Sequence, residues 1–315
     1  MQKRPLGRSG LEVSALVLGG NVFGWTADAA TSFAVLDAYV AAGGNCIDTA
    51  DVYSRWAPGH QGGESERVIG QWLSVRGNRE RVLIASKVGM EMAPDKKGLR
   101  RQYILQAVEE SLERLQTDYI DLYQSHKDDP DTPIDETLEA HAILVKQGMV
   151  RAIGASNFSA ERLSESLAVS ELHGWPAYCS LQPHYNLCER ADYEQKLEPV
   201  CKEEGLGVIP YFSLAAGFLT GKYRSEADLA KSPRGQAVKK YLNERGFRIL
   251  AALDQVAKQT SSTPTAVALA WLLARPSITA PIASATSVEQ LQTLIAGTQL
   301  KLDAEAVALL DRASA

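Results

Sequence analysis

Short apolar runs alternate with stretches of helical spacing along most of the chain. The runs that predict strands are Leu16–Leu18, the residues just before Asp48, Val82–Ala85, Tyr119–Tyr123, Arg151–Ala155, Cys179–Leu181, Gly207–Ile209 and Thr279–Ala283. The stretches with helical spacing include Asp28–Ala42, a segment that starts at Ser65, Tyr103–Leu115 and Leu138–Gln147. Strands that alternate with helices predict parallel βα units. Eight such units in about 250 residues or more are typical of a (β/α)8 TIM barrel, which we predict here.

The competing fold for this alternation is a doubly wound sheet. Such a sheet is expected to carry G-x-G-x-x-G after its first strand. The glycine-rich segments of this chain, LGGNVFG and GLGVIP, do not have that spacing. The barrel is therefore the better prediction.

Two segments fall outside the eight units. Residues 3–15, around Arg8-Ser9-Gly10, predict a small hairpin before the barrel. The stretch between Tyr211 and Thr279 is longer than one βα unit requires, so it is expected to hold a long loop after barrel strand 7, including Gly221–Pro233, and an additional helix. We expect the whole chain, 1–315, to form a single domain.

Composition limits the classes of function. The 315 residues are 45% hydrophobic and 23% charged, with a formal net charge of −5. No basic surface for nucleic acid is expected from that charge, and no apolar run is long enough to cross a bilayer. The first residues lack the pattern of a signal peptide. The four cysteines have no CxxC spacing, which favours a reducing cytoplasm. Oligomeric state is not encoded in these patterns.

Polar side chains with chemical potential stand at the ends of several predicted strands. Asp48 ends the second strand, and Tyr53 lies in the loop that follows. Lys87 ends the third strand, and His126 lies at the end of the fourth. A phenol can give or take a proton, and a carboxylate can keep a nearby lysine cationic. The alternative is that Asp48 caps a loop and Tyr53 packs. A metal-dependent hydrolase or isomerase ranks last, because only Asp48 and His126 could start a carboxylate–histidine cluster.

Six segments, in order and each at a predicted strand end, resemble motifs of the aldo-keto reductase family. They are NCIDTADVY (Asn45–Tyr53), ASKVG around Lys87, DLYQSHKDDP around His126, QGMVRAIGASNFS (Gln147–Ser159), VIPYFSLAAGFLTGKY (Val208–Tyr223) and PIASATSVEQL (Pro281–Leu291). The resemblance covers essentially the whole chain and is to the bacterial and potassium-channel-β-like branches. It implies a TIM barrel and an NAD(P)H-dependent oxidoreductase that acts on CH–OH or carbonyl groups.

The resemblance implies a catalytic tetrad of Asp48, Tyr53, Lys87 and His126. Carbonyl reduction needs a hydride donor, an acid for the forming alkoxide, and a group that polarises the carbonyl. By the resemblance Tyr53 is the acid, Lys87 lowers the pKa of Tyr53 towards neutral pH, and Asp48 pairs with Lys87. His126 is expected to donate a hydrogen bond to the carbonyl oxygen.

The resemblance also implies a site for a nicotinamide dinucleotide. Polar side chains after strands 5 and 6 would bond the carboxamide, Tyr211 would stack on the nicotinamide ring, and small residues after strand 7 would let backbone N–H groups approach the pyrophosphate. The implied cofactor-binding residues are Ser156, Asn157, Gln182, Tyr211, Phe212, Ser213, Leu214, Gly217, Lys222, Arg234, Ser284, Thr286 and Gln290.

The expected cofactor is NADP(H), with NAD(H) as the alternative. Most of the family prefers NADPH, but Ser284, Thr286 and Gln290 stand where relatives carry other residues, including Arg or Lys at some of these positions. Lys222 and Arg234 could supply charge to the adenosine 2′-phosphate instead. The margin of preference is therefore expected to be small.

The expected reaction is reduction of an aldehyde or ketone to the alcohol, and the expected partner is a small-molecule carbonyl compound. Trp25 and Trp56 are candidate apolar substrate contacts, although either could equally pack in the fold. The alternative function is a cofactor-binding, redox-sensing regulatory subunit with little turnover, as in the potassium-channel-β relatives. An intact tetrad favours the enzyme.

Overall fold

The computed structural model describes residues 1–315, and eight parallel strands form its centre. A two-stranded antiparallel hairpin comes first, made of β1 (Lys3–Pro5) and β2 (Glu12–Ser14). The parallel strands are β3 (Val17–Gly19), β4 (Cys46–Asp48), β5 (Leu83–Val88), β6 (Ile120–Ser125), β7 (Val150–Ser156), β8 (Ser180–Gln182), β9 (Gly207–Val208) and β10 (Ile282–Ala283).

Helices follow the strands and cover the outside of the sheet. They are α1 (Ala29–Ala41), α2 (Glu64–Arg76), α3 (Arg101–Leu115), α4 (Ile134–Lys146), α5 (Ala160–His173), α6 (Glu198–Glu203), α7 (Gly235–Val238), α8 (Glu244–Gln259), α9 (Pro264–Leu273), α10 (Val288–Gln299) and α11 (Ala304–Ser314). The sequence-based boundaries agree to within a few residues. The largest difference is α4, which begins at Ile134 rather than Leu138, because Pro133 is suited to the start of a helix.

The sheet curls into a barrel. Its strand order is β10-β3-β4-β5-β6-β7-β8-β9, and every neighbouring pair is parallel. The amide of Thr279 donates to the Val208 carbonyl at 2.8 Å, and the amide of Ile282 donates to the Pro210 carbonyl at 2.9 Å. These bonds join the last segment to β9, so the predicted (β/α)8 TIM barrel is confirmed.

Side chains of each strand face the barrel interior and the helices in turn. In β5, Ala85 belongs to the interior cluster, whereas Ile84 and Val88 pack among the helices. Two residues after Ala85, Lys87 faces the interior again, at the carboxyl end of the strand. The strand period of two therefore brings apolar residues to one end of the interior and polar residues to the other.

The predicted N-terminal hairpin is confirmed, and it plugs the amino end of the barrel. Leu6, Leu11 and Val13 form one buried cluster with interior residues such as Leu122. Gly7 has φ of +53°, and a Cβ there would lie 2.2 Å from the Cys179 carbonyl oxygen. Only glycine suits this close, left-handed approach.

The long segment between β9 and β10 contains the predicted additional helix. Short 3₁₀ turns at Ala215–Thr220, Glu226–Lys231 and Lys239–Tyr241 precede α8, so this connection is ordered rather than an open loop. The helix α8 packs against α9 and against the C-terminal α11. The helix α11 was not among the elements predicted from the sequence. No helix of the chain combines the length and apolarity needed to cross a membrane.

Candidate active site

The four residues of the predicted tetrad lie together at the carboxyl end of the barrel. Asp48 is the last residue of β4, Lys87 the penultimate residue of β5, and His126 directly follows β6. Tyr53 lies in the turn after β4. Because parallel strands all end at the same rim, residues far apart in sequence converge there.

Lys87 connects the tetrad by hydrogen bonds. Its Nζ donates to the Asp48 carboxylate, to the Tyr53 hydroxyl and to the Thr49 carbonyl oxygen, each at 2.8 Å. The Tyr53 hydroxyl in turn lies 3.1 Å from Asp48 Oδ2. Lys87 and Asp48 are 0% and 1% exposed. A buried ammonium with three acceptors is held in one place, so the phenol oxygen is fixed as well.

Burial controls the acidity of the tetrad. It raises the pKa of Tyr53 well above its usual value, and the neighbouring charge of Asp48 adds to the increase. Burial also lowers the pKa of Lys87, and the Asp48 carboxylate opposes that lowering. That Lys87 lowers the pKa of Tyr53 stays a prediction, since burial and the Asp48 carboxylate set the net direction in this structure. The phenol is protonated at neutral pH, which is the form that an acid requires.

His126 is held neutral beside the phenol. The centroid of its ring lies 6.0 Å from that of Tyr53, and its Nδ1 is buried without a partner. Burial lowers the pKa of His126 well below its usual value, and the positive charges of Lys87 and Lys127 lower it further. A neutral imidazole retains one N–H group that can donate to a carbonyl oxygen.

Two buried glutamines complete the polar layer around Asp48. Gln182 Nε2 donates to Asp48 Oδ1 at 2.8 Å and to Gln124 Oε1 at 3.2 Å, and Gln124 Nε2 lies 3.5 Å from Asp48 Oδ1. Gln182 was predicted only as a cofactor ligand, and Gln124 was missed. The strand period could have indicated Gln124, since it precedes His126 by two residues in DLYQSH.

A second charged group lies outside the barrel, behind Lys87. Ser86 donates to Glu66 Oε1 at 2.6 Å, and Arg114 Nε donates to Glu66 Oε2 at 2.6 Å. Asp51 is buried nearby with both carboxylate oxygens unpartnered. Burial raises the pKa of Asp51 well above its usual value, and the charge of Glu66 contributes to the increase. Sequence patterns do not reveal this group, because its members come from two helices, a strand and a turn.

The residues at the end of β7 bind other parts of the protein. Ser156 Oγ donates to the Gln182 carbonyl at 2.9 Å. Asn157 Nδ2 donates to the His126 carbonyl at 2.8 Å, and Asn157 Oδ1 accepts from the Tyr211 hydroxyl at 2.7 Å. These side chains are next to the tetrad, as expected, but their donors are already used.

Tyr211 is linked to the tetrad through Asn157, which bonds to both its hydroxyl and the His126 carbonyl. One face of its ring is stacked on His184, with ring centroids 5.3 Å apart and planes at 18°. The neighbouring Phe212 is 46% exposed and contacts the same histidine edge-on. The stack fixes Tyr211 as a flat platform.

The loop after Tyr211 has an unusual backbone. Phe212, Ala215, Ala216 and Gly217 all have positive φ, between 49° and 98°. The amides of Ser213 and Leu214 make no hydrogen bond within the protein. Turns in which left-handed residues expose neighbouring backbone N–H groups form concave surfaces that bind anions, and strain of this kind is concentrated at functional sites.

The two cations predicted for the cofactor site have different surroundings. Lys222 Nζ is 3.6 Å from the position that a Cβ on Gly217 would take, next to the left-handed loop. Arg234 lies over the Trp25 ring, 5.6 Å from its centroid, and its buried Nη2 has no partner. Its charge opposes the increase in the pKa of Tyr53. An unpaired, partly buried guanidinium is suited to an anionic ligand.

The segment after β10 uses its polar groups internally. Ser284 bonds to Asn21. The amide and hydroxyl of Thr286 both donate to Gln290 Oε1, at 3.0 and 3.1 Å. No Lys or Arg is present from 284 to 290, and Glu289 lies in the first turn of α10.

Two tryptophans stand at the open side of the tetrad. The rings of Trp25 and Trp56 meet edge-on at 5.4 Å between centroids, and Trp56 lies 6.0 Å from the Tyr53 ring. Trp56 is 50% exposed. An aromatic surface next to the phenol can contact an apolar ligand. No group of three or more His, Cys, Asp or Glu side chains is arranged to hold a metal ion.

Comparisons with known proteins agree with this geometry. The chain is 36% identical over 319 residues to the uncharacterized oxidoreductase YrpG of Bacillus subtilis, covering 99% of this chain and 95% of that protein. It is 32% identical to protein tas of Escherichia coli, covering 99% and 97% of the two chains. It is 31% identical to norsolorinic acid reductase of Aspergillus flavus, covering 97% and 79%.

The family model of the aldo/keto reductases matches residues 15–315. That range contains the whole barrel, the four converging residues and the loop after β9. The resemblance stated from the motifs is therefore confirmed. The chain belongs to the aldo/keto reductase family of NAD(P)H-dependent oxidoreductases.

Proposed function

We propose that this protein reduces an aldehyde or ketone to the alcohol with NADPH, and that Tyr53 is the general acid. The observation that carries the proposal is the buried Lys87 ammonium, which binds the Asp48 carboxylate and the Tyr53 hydroxyl at 2.8 Å each. A protonated phenol held by a cation can release its proton and leave a stabilised phenolate. The same side chains serve alcohol oxidation in reverse.

Each residue of the tetrad has a distinct role in the proposed step. Tyr53 gives its proton to the forming alkoxide. Lys87 balances the phenolate charge, and Asp48 keeps Lys87 charged and oriented. His126, as a neutral imidazole, donates a hydrogen bond to the carbonyl oxygen and sets its direction. When bound, the reduced nicotinamide supplies the hydride.

The residues after β9 suit the phosphates of the dinucleotide. The run of left-handed residues and the free amides of Ser213 and Leu214 form a surface of the kind that binds anions. Lys222 stands next to Gly217, and Arg234 has an unpartnered Nη2. We therefore assign these side chains to the phosphates. Phe212 would contribute its backbone path and its exposed ring.

The carboxamide end of the cofactor would meet acceptors rather than donors. An acceptor-only carboxylate requires the Gln182 amide to direct its N–H2 group at Asp48, which leaves Oε1 free. Asn157 Oδ1 accepts one hydrogen bond and has a second lone pair. Ser156 holds the Gln182 backbone, and the open face of Tyr211 would carry the ring.

The aromatic wall supports an apolar carbonyl substrate. Trp25 and Trp56 lie edge to face beside Tyr53, and Trp56 is half exposed. Aromatic surfaces of this kind bind planar or aliphatic groups well. We also propose that residues 1–315 act as one domain, because a single apolar cluster runs from Leu16 to Ala313.

Replacement of Tyr53 by Phe tests the proposed function. The change keeps the ring and removes the proton, so carbonyl reduction should fall by about 10²-fold or more. Cofactor affinity should hardly change. Cofactor absorbance with a panel of aldehydes, ketones and sugars gives the rates. Turnover like that of the unmodified protein would rule out Tyr53 as the acid.

The same panel tests the alternative function. A regulatory subunit would bind the cofactor and turn over none of the carbonyl compounds. Steady turnover of a simple aldehyde, lost in the Tyr53→Phe variant, would support the enzyme.

The preference for NADPH over NADH is expected to be modest. Thr286, Ser287 and Gln290 can donate or accept hydrogen bonds, but no cation stands among them. A hydrogen bond to a charged group contributes roughly 1.5–3 kcal/mol. The lack of one such bond from a cation to the 2′-phosphate should therefore reduce the preference for NADPH by about tenfold or more. The ratio of kcat/KM for the two cofactors at equal salt measures this. A clear preference for NADH would overturn the assignment.

Two variants locate the charge. Lys222→Ala and Arg234→Ala should each lower the NADPH to NADH ratio if their charges reach the 2′-phosphate. A ratio that stays constant in both would place that charge elsewhere.

A further inference from the structure

One side chain at the rim of the barrel connects segments that the proposed reaction must align. Asn157 directly follows β7 and has φ of +54°, in the left-handed region. Its Nδ2 donates to the His126 carbonyl at 2.8 Å, and its Oδ1 accepts from the Tyr211 hydroxyl at 2.7 Å. The amide of Asp128 reaches the Asn157 carbonyl at 3.4 Å. Asn157 thus contacts the loop after β6 and the platform after β9.

The direction of this side chain is set by its partners. The His126 carbonyl can only accept, so the N–H2 group of Asn157 must face it. The second N–H of that group lies 3.1 Å from Ser156 Oγ. The oxygen is left for Tyr211. Asparagine is also among the few residues that tolerate a left-handed backbone, which this corner requires.

His126 depends on this bond for its place. Its ring Nδ1 has no partner, and its backbone is held by the amide bond to the Val88 carbonyl at 2.8 Å on one side and by Asn157 on the other. Two residues on, Asp128 is anchored by Arg162 at 2.9 and 3.0 Å. The imidazole is therefore aimed by its backbone rather than by a side-chain partner.

Tyr211 depends on the same side chain. Its ring is stacked on His184, and its hydroxyl bonds only to Asn157. A shift of the Tyr211 ring must therefore move or break its bond to Asn157. The same side-chain amide of Asn157 binds the Tyr211 hydroxyl and the His126 carbonyl.

We propose that Asn157 is a positioning residue that couples the aromatic platform of Tyr211 to the orientation of His126. The inference rests on the proposed function, since it gives His126 the task of directing the carbonyl. It differs from a role as cofactor ligand alone. The coupling aligns the platform for the cofactor ring with the donor for the carbonyl oxygen, so that the two reacting groups meet in one geometry.

The test replaces Asn157 by Gly, which keeps the left-handed backbone and removes only the amide. We expect kcat to fall about tenfold, in keeping with the loss of the hydrogen bonds to His126 and Tyr211. The cofactor Kd, from quenching of protein fluorescence, should rise by a smaller factor than kcat falls, because the phosphate contacts remain and only the contact between Asn157 Oδ1 and the carboxamide is lost. Gln116→Gly is the control, since Gln116 also has positive φ, at the end of α3. It should leave both values unchanged.

Making the Asn157→Gly substitution in a protein that lacks the His126 imidazole separates positioning from cofactor binding. In a His126→Ala protein, measured by single turnover, adding Asn157→Gly should change the rate less than about twofold, because the group that Asn157 positions is gone. A full tenfold loss in that background would overturn the proposal. A rise in cofactor Kd that accounts for the loss would overturn it too.

A second variant removes one hydroxyl and keeps the platform. Tyr211→Phe should lower kcat about threefold, and it should add nothing to Asn157→Gly, because both changes break the same bond. Additive losses would contradict the coupling.

An NMR measurement tests the coupling between Tyr211 and His126 without requiring turnover. The imidazole resonances of His126 should shift in Tyr211→Phe, and unchanged resonances would overturn the proposal. A protein that shows this shift but reduces no carbonyl compound would keep the coupling and refute only the proposed function.

Discussion

The two ends of the barrel interior differ in composition although they are built from the same strands. At the amino end, Ala85 and Leu122 join the hairpin residues in an apolar cluster. Two residues further along the same strands, Lys87 and Gln124 belong to a polar layer around Asp48. One step of the strand period therefore separates a region for stability from a region for chemistry. Substitutions at the two ends should change different properties.

The largest effect is expected from breaking the buried ion pair at the polar end. Asp48→Asn keeps the shape of the side chain but leaves Lys87 as a buried cation without its carboxylate. Removing one partner of such a pair costs about 3–5 kcal/mol of unfolding free energy. Turnover should fall as well, because Lys87 loses the group that orients it. Chemical denaturation and cofactor absorbance measure the two losses.

A double variant serves as the control for this prediction. Asp48→Asn combined with Lys87→Met removes the uncompensated charge and should recover part of the stability, while turnover stays low. An unfolding midpoint for Asp48→Asn equal to that of the unmodified protein would show that the pair contributes nothing.

Substitutions at the apolar end of the barrel interior should lower stability and leave activity unchanged. Leu122→Ala leaves a cavity beneath the polar layer, and such changes cost about 2–5 kcal/mol. We expect kcat near that of the unmodified protein below the unfolding temperature. Leu172→Ala, at a residue 80% exposed, is the control and should cost little. A fall in kcat as large as the one caused by Tyr53→Phe would erase the distinction between the two ends.

The smallest effect concerns acid sensitivity, and it comes from outside the barrel. His141 is fully buried between Tyr123 and Tyr178, and burial lowers its pKa to about 4. The unfolded chain, with a histidine pKa of about 6.5, binds more protons below that pH. Stability should therefore fall by up to about 3 kcal/mol as the pH drops from about 6.5 to about 4.

Two variants measure that contribution. His141→Phe should flatten the loss of stability between these pH values, as followed by denaturation at a series of pH values. His173→Phe, at an exposed position, should leave the curve as it is. An equal pH dependence in all three proteins would remove His141 as the source.

Much of the active site follows from local pattern. Alternating strands and helices predicted the barrel, and the rule that parallel strands end at one rim brought Asp48, Lys87 and His126 together. Gln124 was missed although the strand period could have indicated it, and Glu66 and Asp51 were missed because the groups around them come from other elements of the fold. The roles given to the cofactor residues stay predictions.

The sequence by itself determined the order of elements, the position of the tetrad at strand ends and the family motifs, since all of these depend on spacing along the chain. Only the tertiary structure decided how the side chains divide their hydrogen bonds. Gln182 uses its N–H2 group on Asp48, Asn157 uses its own on His126, and Arg234 lies over the Trp25 ring. The physical reason is that a hydrogen bond needs its partners within about 3 Å and in line. That distance is set by barrel closure and loop packing, which join residues far apart in the chain.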